Sequence, residues 1–325
     1  MGYQNKILMR TSLDDEGVVG KRNFTYKSPD MISHTQVLNE KEFFSANYDS
    51  DPNMPLDKNS GTNFVYLRGK SKNEGVSGYM WLYCCGSSLF MKPSLWKNKK
   101  LYTVEGQSCV MISATEKDEI VVTDKPFVLN GLVNEHFCMV AITTDKKEEC
   151  IPDDFATYDQ FNYWVRTNMG VAVRNFTVLK NGLYYDYQRL DILSNPEDEE
   201  MPAMIKVSWT GIPDGYYVGV KCDSLPDLEK QVETSSAVHS MAASTILPVG
   251  FEGYVETFAY NTDGESSFPE NATITTQFYT PVALKQLCYP YGKTLQELGC
   301  ESAERIGLTS TTKMVLTGEC STVFV

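Results

Sequence analysis

The chain has 325 residues, 42% of them hydrophobic and 22% charged, an ordinary globular profile with room for two domains. Net charge is −13 and uneven: residues 1–150 carry 18 Lys+Arg against 19 Asp+Glu, while residues 151–325 carry 11 against 23. That excess argues against nucleic acid or anionic lipid as a partner of the second half, and no apolar run reaches the ~18 residues of a spanning helix.

In chain order, residues 1–60 are rich in Pro, Gly, Asn and Asp, which predicts surface loops and one short strand near residues 6–10. The opening stretch has no apolar core of leader length, and no Ser or Thr stands near position six where a myristoylation signal at Gly2 needs one. The expectation is a chain made in a reducing compartment, with release by a route that needs no cleaved leader left open. From residue 62 short apolar segments recur: 63–69, 78–85, 89–96, 109–114, 119–123 and 136–144. Polar turns join them with no long helix between, which predicts an antiparallel sandwich. Residues 154–168 read as a connecting helix capped by Asp153 or Asp154, with Gly170 stopping it in a left-handed turn. Alternation over 171–179 then predicts a strand.

In the second half, 204–209 and 216–222 read as a hairpin across Gly211–Gly215, and 253–260 with 272–279 as another. Residues 293–305 predict a second helix, and 313–325 a closing strand or an apolar tail free to pair with another sheet edge. The fold class expected is all-β: two immunoglobulin-like β-sandwich domains joined by a short helix, residues 1–150 and 151–325. Trp81 and Trp209 are the expected core anchors, and Trp164 packs the connecting helix.

Three stretches of the first half, SPDMI at 28–32, NFVYLRGKSKNEGVSGYMWLY at 63–83 and FVLNGLVNEHFCMVAITTD at 127–145, resemble bacterial immunoglobulin-like sandwich domains. The resemblance covers about 120 residues. It implies a first strand after SPD, a hairpin carrying the next two strands, and a closing strand at HFC. These are packing motifs, so the resemblance implies a fold and no activity.

Candidate chemistry is sparse. The histidines are His34, His136 and His239, and none has a second His or Cys at metal spacing. Ser94 and Lys97 form SxxK, but GxSxG, GxGxxG and a phosphate loop are absent, and KTL at 293–295 only approaches a KTG. Asp49, Asp51, Asn53 and Asp57 imitate the start of a calcium loop, without the Gly and Glu that complete it. Lys92, Lys97, Lys99 and Lys100 around Trp96 read as a solvated basic loop. The nine cysteines, including the adjacent Cys84 and Cys85, read as packed thiols, and the sequons at Asn23, Asn175 and Asn271 as chance. No catalytic, cofactor or metal residue is assigned. The expected function is a non-enzymatic binding or self-assembling structural protein with a protein partner, itself included. The alternative is a toxin or effector component that recognises a host surface or membrane.

Overall fold

The structure, a computed structural model, describes residues 3, 5–19, 22, 24–57, 60–85, 91–130, 137–176, 178–180, 186–264 and 267–324. It is nearly all β, and the chain divides into two compact units. The first comprises Met1–Gly86, Met91–Phe155 and Phe161–Phe176, and the second Ser87–Phe90, Ala156–Gln160 and Thr177–Val325. Residues 161–176 were expected in the second domain. They count with the first because their strand is hydrogen-bonded along its whole length to a strand of that unit.

The first unit contains β1 (Ile7–Leu8), β2 (Met31–His34), α1 (Glu40–Ala46), β3 (Thr62–Ser71), β4 (Val76–Cys85), β5 (Tyr102–Thr103), β6 (Cys109–Ala114), β7 (Ile120–Val122), β8 (Phe127–Asn130), β9 (Phe137–Thr144) and β10 (Val171–Phe176). The helix α2 (Tyr158–Thr167) contributes its later turns. One sheet gathers β1, β2, β7 and β8 around β3, with β5 beyond β8; the other runs β10-β9-β4-β6. β4 and β9 are apolar on both faces and central, as continuous apolar runs require. Trp81 is buried there, its Nε1 donating to Thr144 Oγ1 at 2.9 Å.

The 60 residues expected as loose loops are instead held by buried charge. The Asp30 carboxylate accepts from the Arg10 amide at 2.7 Å, from Arg10 Nη2 at 2.7 Å and from Arg68 Nε at 3.0 Å. Arg68 also donates to the carbonyl oxygens of Phe44, Asn47 and Ser50, at 3.0, 2.8 and 2.7 Å, and so caps α1 and the turn after it. Arg22 does the same for α2: it pairs with Asp15 at 2.9 Å and donates to the Val165 carbonyl at 2.8 Å. Planar guanidinium groups, each with five donors, replace the hydrogen bonds that regular pairing would give this segment.

The second unit contains β11 (Val178–Lys180), β12 (Asp186–Ser194), β13 (Met201–Thr210), β14 (Tyr216–Lys221), β15 (Lys230–Glu233), β16 (Ser240–Leu247), β17 (Glu252–Asn261), β18 (Thr273–Pro281), β19 (Lys293–Thr294) and β20 (Lys313–Phe324). One sheet runs β11-β20-β18-β13-β16 with β19 on β20, and the other runs β12-β17-β14-β15. All pairs are antiparallel except β11 with β20. The two sheets face each other through Thr257 and Thr276, whose hydroxyls meet at 2.9 Å, and through Tyr187 and Thr322, also at 2.9 Å. Trp209 is buried in this core.

Several expectations are corrected. The segments 204–209 and 216–222 are not a hairpin, because β13 and β14 lie in opposite sheets, and the same holds for β17 and β18. The hairpin implied at 63–83 fails likewise, with β3 and β4 in different sheets, and β9 is central, not closing. Between β3 and β4 and between β13 and β14 a connection of four or five residues carries the chain from one sheet to the other, which burial of both faces favours over local pairing. Residues 91–96 form a 3-10 turn at Pro93–Leu95 in place of a strand.

The helix expected at 293–305 is broken into the two-residue strand β19, one turn over 295–299 and a 3-10 turn at Glu304–Ile306. Thr294 and Glu297 form a reciprocal cap, Glu297 Oε2 accepting the Thr294 amide at 2.7 Å and Thr294 Oγ1 the Glu297 amide at 3.1 Å. Gly299 then takes φ +65°, which ends the turn as soon as Leu295 and Leu298 are buried.

α2 begins later than expected. Thr157 Oγ1 caps Gln160 at 3.2 Å, while Asp154 accepts the Ser94 amide at 2.6 Å. Gly170 is not left-handed. Thr167 Oγ1 and Asn168 Nδ2 bond the Tyr163 and Trp164 carbonyls at 2.8 and 2.7 Å and finish the helix.

The apolar tail is not free. β20 lies between β11 and β18, and the Phe324 amide donates to the Ala272 carbonyl at 3.0 Å.

Candidate functional site

The residues nominated from sequence do not converge. Ser94 and Lys97 sit on an exposed turn. Asp51 is engaged by Arg174 at 2.9 Å and Asn53 Oδ1 by the Ser33 amide at 2.9 Å, so two of the four residues of the apparent calcium loop already have protein partners. Among the described residues no group of three or more His, Cys, Asp and Glu is placed to hold a metal. His34 stacks edge-on against Phe43 and Phe44, His239 is exposed, and His136 lies outside the described residues, as do Gly2 and the sequon at Asn23.

Lys97 and Lys99 are exposed, as a solvated loop requires, but Trp96 is not part of that surface: it is fully buried, with Nε1 donating to the Met91 carbonyl at 2.7 Å. Trp164 stacks on it at 6.4 Å within the first unit. All nine cysteines are free thiols, and all but Cys300 are buried. Among the described residues no helix is long and apolar enough to cross a membrane.

A different feature stands out on the second unit. In β12, Tyr187, Arg189, Asp191 and Leu193 point inward, and in β17 Val255, Thr257 and Ala259 do. Arg189 and Asp191 pair at 3.0 Å inside the core. Alternation then forces the larger side chains of β17, namely Tyr254, Phe258 and Tyr260, onto the solvent face. Register brings Tyr217 of β14 opposite Tyr260, and Gly219 opposite Phe258.

The three clustered rings lie nearly parallel. Tyr217 and Tyr260 are 5.4 Å apart at 14°, and Phe258 and Tyr260 are 6.3 Å apart at 19°. The Phe258 ring rests over Gly219: a Cβ there would come within 2.7 Å of Phe258 Cε2 and 2.8 Å of the Lys230 carbonyl oxygen. Tyr254, 63% exposed, continues the row on the same strand, roughly 13 Å from Phe258 by strand rise. Leu190, 59% exposed, lies on β12 opposite Glu256, diagonal to Tyr254.

Polar groups border the rings. Tyr217 Oη donates to Glu233 Oε2 and Tyr260 Oη to Gln231 Oε1, both at 3.4 Å. Lys221 Nζ lies 3.4 Å from Glu256 and 6.0 Å from the centre of Phe258. The nearby Glu233 charge raises the Tyr217 pKa, so the phenol stays protonated. The arrangement offers a stacked, half-buried set of rings with carboxylate and amide acceptors beside it, and among the described residues there it pairs no nucleophile with a base. Sequence reasoning passed over this face. Its only written signal was aromatic residues at every second position of 254–260, in the phase opposite to small Val, Thr and Ala.

No protein-family model matches the chain, and no curated protein matches it significantly. Among solved structures it is similar to the CupB6 tip adhesin from Pseudomonas aeruginosa, at 8% identity over 81% of this chain and 88% of that one, with a TM-score of 0.20. It is similar to CBD12 from CALX1.2 at 8% identity over 83% and 96%, with a TM-score of 0.19. Red sea bream transglutaminase aligns at 8% identity and a TM-score of 0.18 over 70% of this chain; the chain spans only 28% of that protein. At such scores the likenesses carry no argument.

Proposed function

We propose that the chain is a non-enzymatic binding protein built of two immunoglobulin-like β-sandwich domains, and that it holds its ligand on the outer face of β12-β17-β14-β15. The carrying observation is the row of half-buried, nearly parallel rings of Tyr217, Phe258 and Tyr260 on the solvent face, with the exposed Tyr254 further along the same strand. Exposed aromatic surface rimmed by polar groups marks binding sites more than chance surface does. Nothing in the row requires chemistry: the groups beside it are acceptors and one ion pair.

The test compares the intact chain with Tyr254→Ala and Phe258→Ala against immobilised glycans, proteins and lipid vesicles. The expected result is saturable binding that leaves the ligand chemically unchanged and is weakened in both variants. Turnover of a ligand, or binding indifferent to both substitutions, would refute the reading. The expected assembly role is retained only in a reduced form, since the segment proposed to mediate it is an internal strand.

A further inference from the structure

We infer that the ligand of this face is a neutral, extended polysaccharide, its sugar rings lying on the aromatic row. The inference rests on the proposed binding function and names its ligand class. Three observations carry it.

The first is geometry. Tyr217 and Tyr260 stack at 5.4 Å and Phe258 follows Tyr260 at 6.3 Å, a half-buried set of rings in which Gly219 removes the Cβ that would push Phe258 away, and Tyr254, 63% exposed, is the open ring of the row. A pyranose ring has a flat face of C–H bonds, and polarised C–H groups pack on the negative face of an aromatic ring. With Tyr254 further along β17, the row is long enough to lie under more than one sugar.

The second is the polar border. Among the described residues the side chains of Glu233 and Gln231 accept only 3.4 Å contacts from the tyrosine hydroxyls, and a carboxylate or amide oxygen can accept more than one. Sugar hydroxyls supply O–H donors at every ring. An apolar protein surface laid over the same face would strand these carboxylates and amides without partners, which is costly.

The third is charge. A four-stranded sheet with exposed aromatic rings is also how some proteins stack nucleobases, but that mode needs cations along the backbone. Residues 151–325 carry 11 basic against 23 acidic groups, and Glu233 and Glu256 sit on the face itself. Polyanions are repelled, and a neutral chain is not.

The experiment is affinity electrophoresis of the full chain through gels containing soluble β-glucan, glucomannan or arabinoxylan. Polygalacturonate gels and single-stranded DNA serve as anionic probes. Tyr254→Ala is the main variant, since a side chain 63% exposed leaves the core untouched, and Phe258→Ala is checked by its melting curve before use. The expected result is retardation by at least one neutral polysaccharide, with affinity falling roughly tenfold in Tyr254→Ala if one stacking contact is lost. That affinity should be insensitive to salt. Ring-dependent binding to a protein or to DNA, with none to the neutral polysaccharides, would overturn the ligand class and leave the binding function standing. Absence of ring-dependent binding to any probe would overturn both.

Discussion

Replacing Asp30 with Asn tests whether buried charge holds the first unit together. The substitution keeps the side-chain size and removes the counter-charge of two arginines whose side chains are 4% and 0% exposed. Breaking a buried ion pair from one side typically costs ~3–5 kcal/mol, because the remaining charge stays desolvated. Burial already works against the Arg68 charge and lowers its pKa. At Arg10 burial acts the same way, but Asp30 more than offsets it. Both arginines keep other partners: Arg68 has its carbonyl oxygens, and Arg10 has the Tyr48 carbonyl at 2.8 Å and the Tyr48 ring at 3.5 Å. The lower end, about 3 kcal/mol, is therefore expected. For a unit of this size each kcal/mol moves the midpoint by ~2–4 °C, so calorimetry should show a fall of about 6–12 °C. A triple change of Asp30→Leu, Arg10→Met and Arg68→Met removes the charge problem but takes the Arg68 donor from the Ser50 carbonyl and the Arg10 donor from the Tyr48 carbonyl. It should therefore stay destabilised. A midpoint within ~2 °C of wild type for Asp30→Asn would refute the reasoning.

Asp15 gives a pH dependence. Burial would raise its pKa, but the Arg22 charge and the Thr11 and Gly17 amides outweigh burial and lower it. Its contribution is therefore complete above the ordinary carboxylate value of ~3.9 and is lost as pH falls below it. Asp15→Asn should flatten the melting-temperature profile in that acid range; an unchanged slope would count against the Asp15–Arg22 pair. Burial, with Cys85 beside it, pushes the Cys84 thiol up to about 12. A thiol reagent should consequently label only the half-buried Cys300 quickly in native protein and all nine cysteines after unfolding; rapid native labelling of Cys84 would contradict its packing. Phe324 is 1% exposed and stacks on Phe268 at 4.3 Å, so Phe324→Ala should cost ~3–5 kcal/mol. Deleting residues 321–325 should unfold the second unit, and a native-like melting curve would mean the tail is dispensable.

Local pattern determined much of this protein. The apolar runs of β4 and β9, the alternation of β6 and the periodicity of α2 were legible because each segment's own residues decide its conformation. The near-absence of long helices followed from the same reading. Pairing was not legible. β13 and β14, or β17 and β18, look like hairpins because they are adjacent and alternate, yet each pair is split between facing sheets. Their partners come from elsewhere in the chain, where burial of both faces outweighs proximity. Residues 293–305 carry a correct helix start, but Gly299 stops the turn early.

The candidate site was hidden for a related reason. Hydrophobicity alone turns Tyr254, Phe258 and Tyr260 inward and sends Arg189 and Asp191 out, and the structure does the reverse. Strand alternation allows only two phases, and a one-residue choice moves every side chain to the other face. That choice was made by the core: it has room for Val255, Thr257 and Ala259, and it accepts Arg189 because Asp191 lies 3.0 Å away on the same strand face. A sequence states both phases of a strand equally well, and only the facing sheet decides which one is buried.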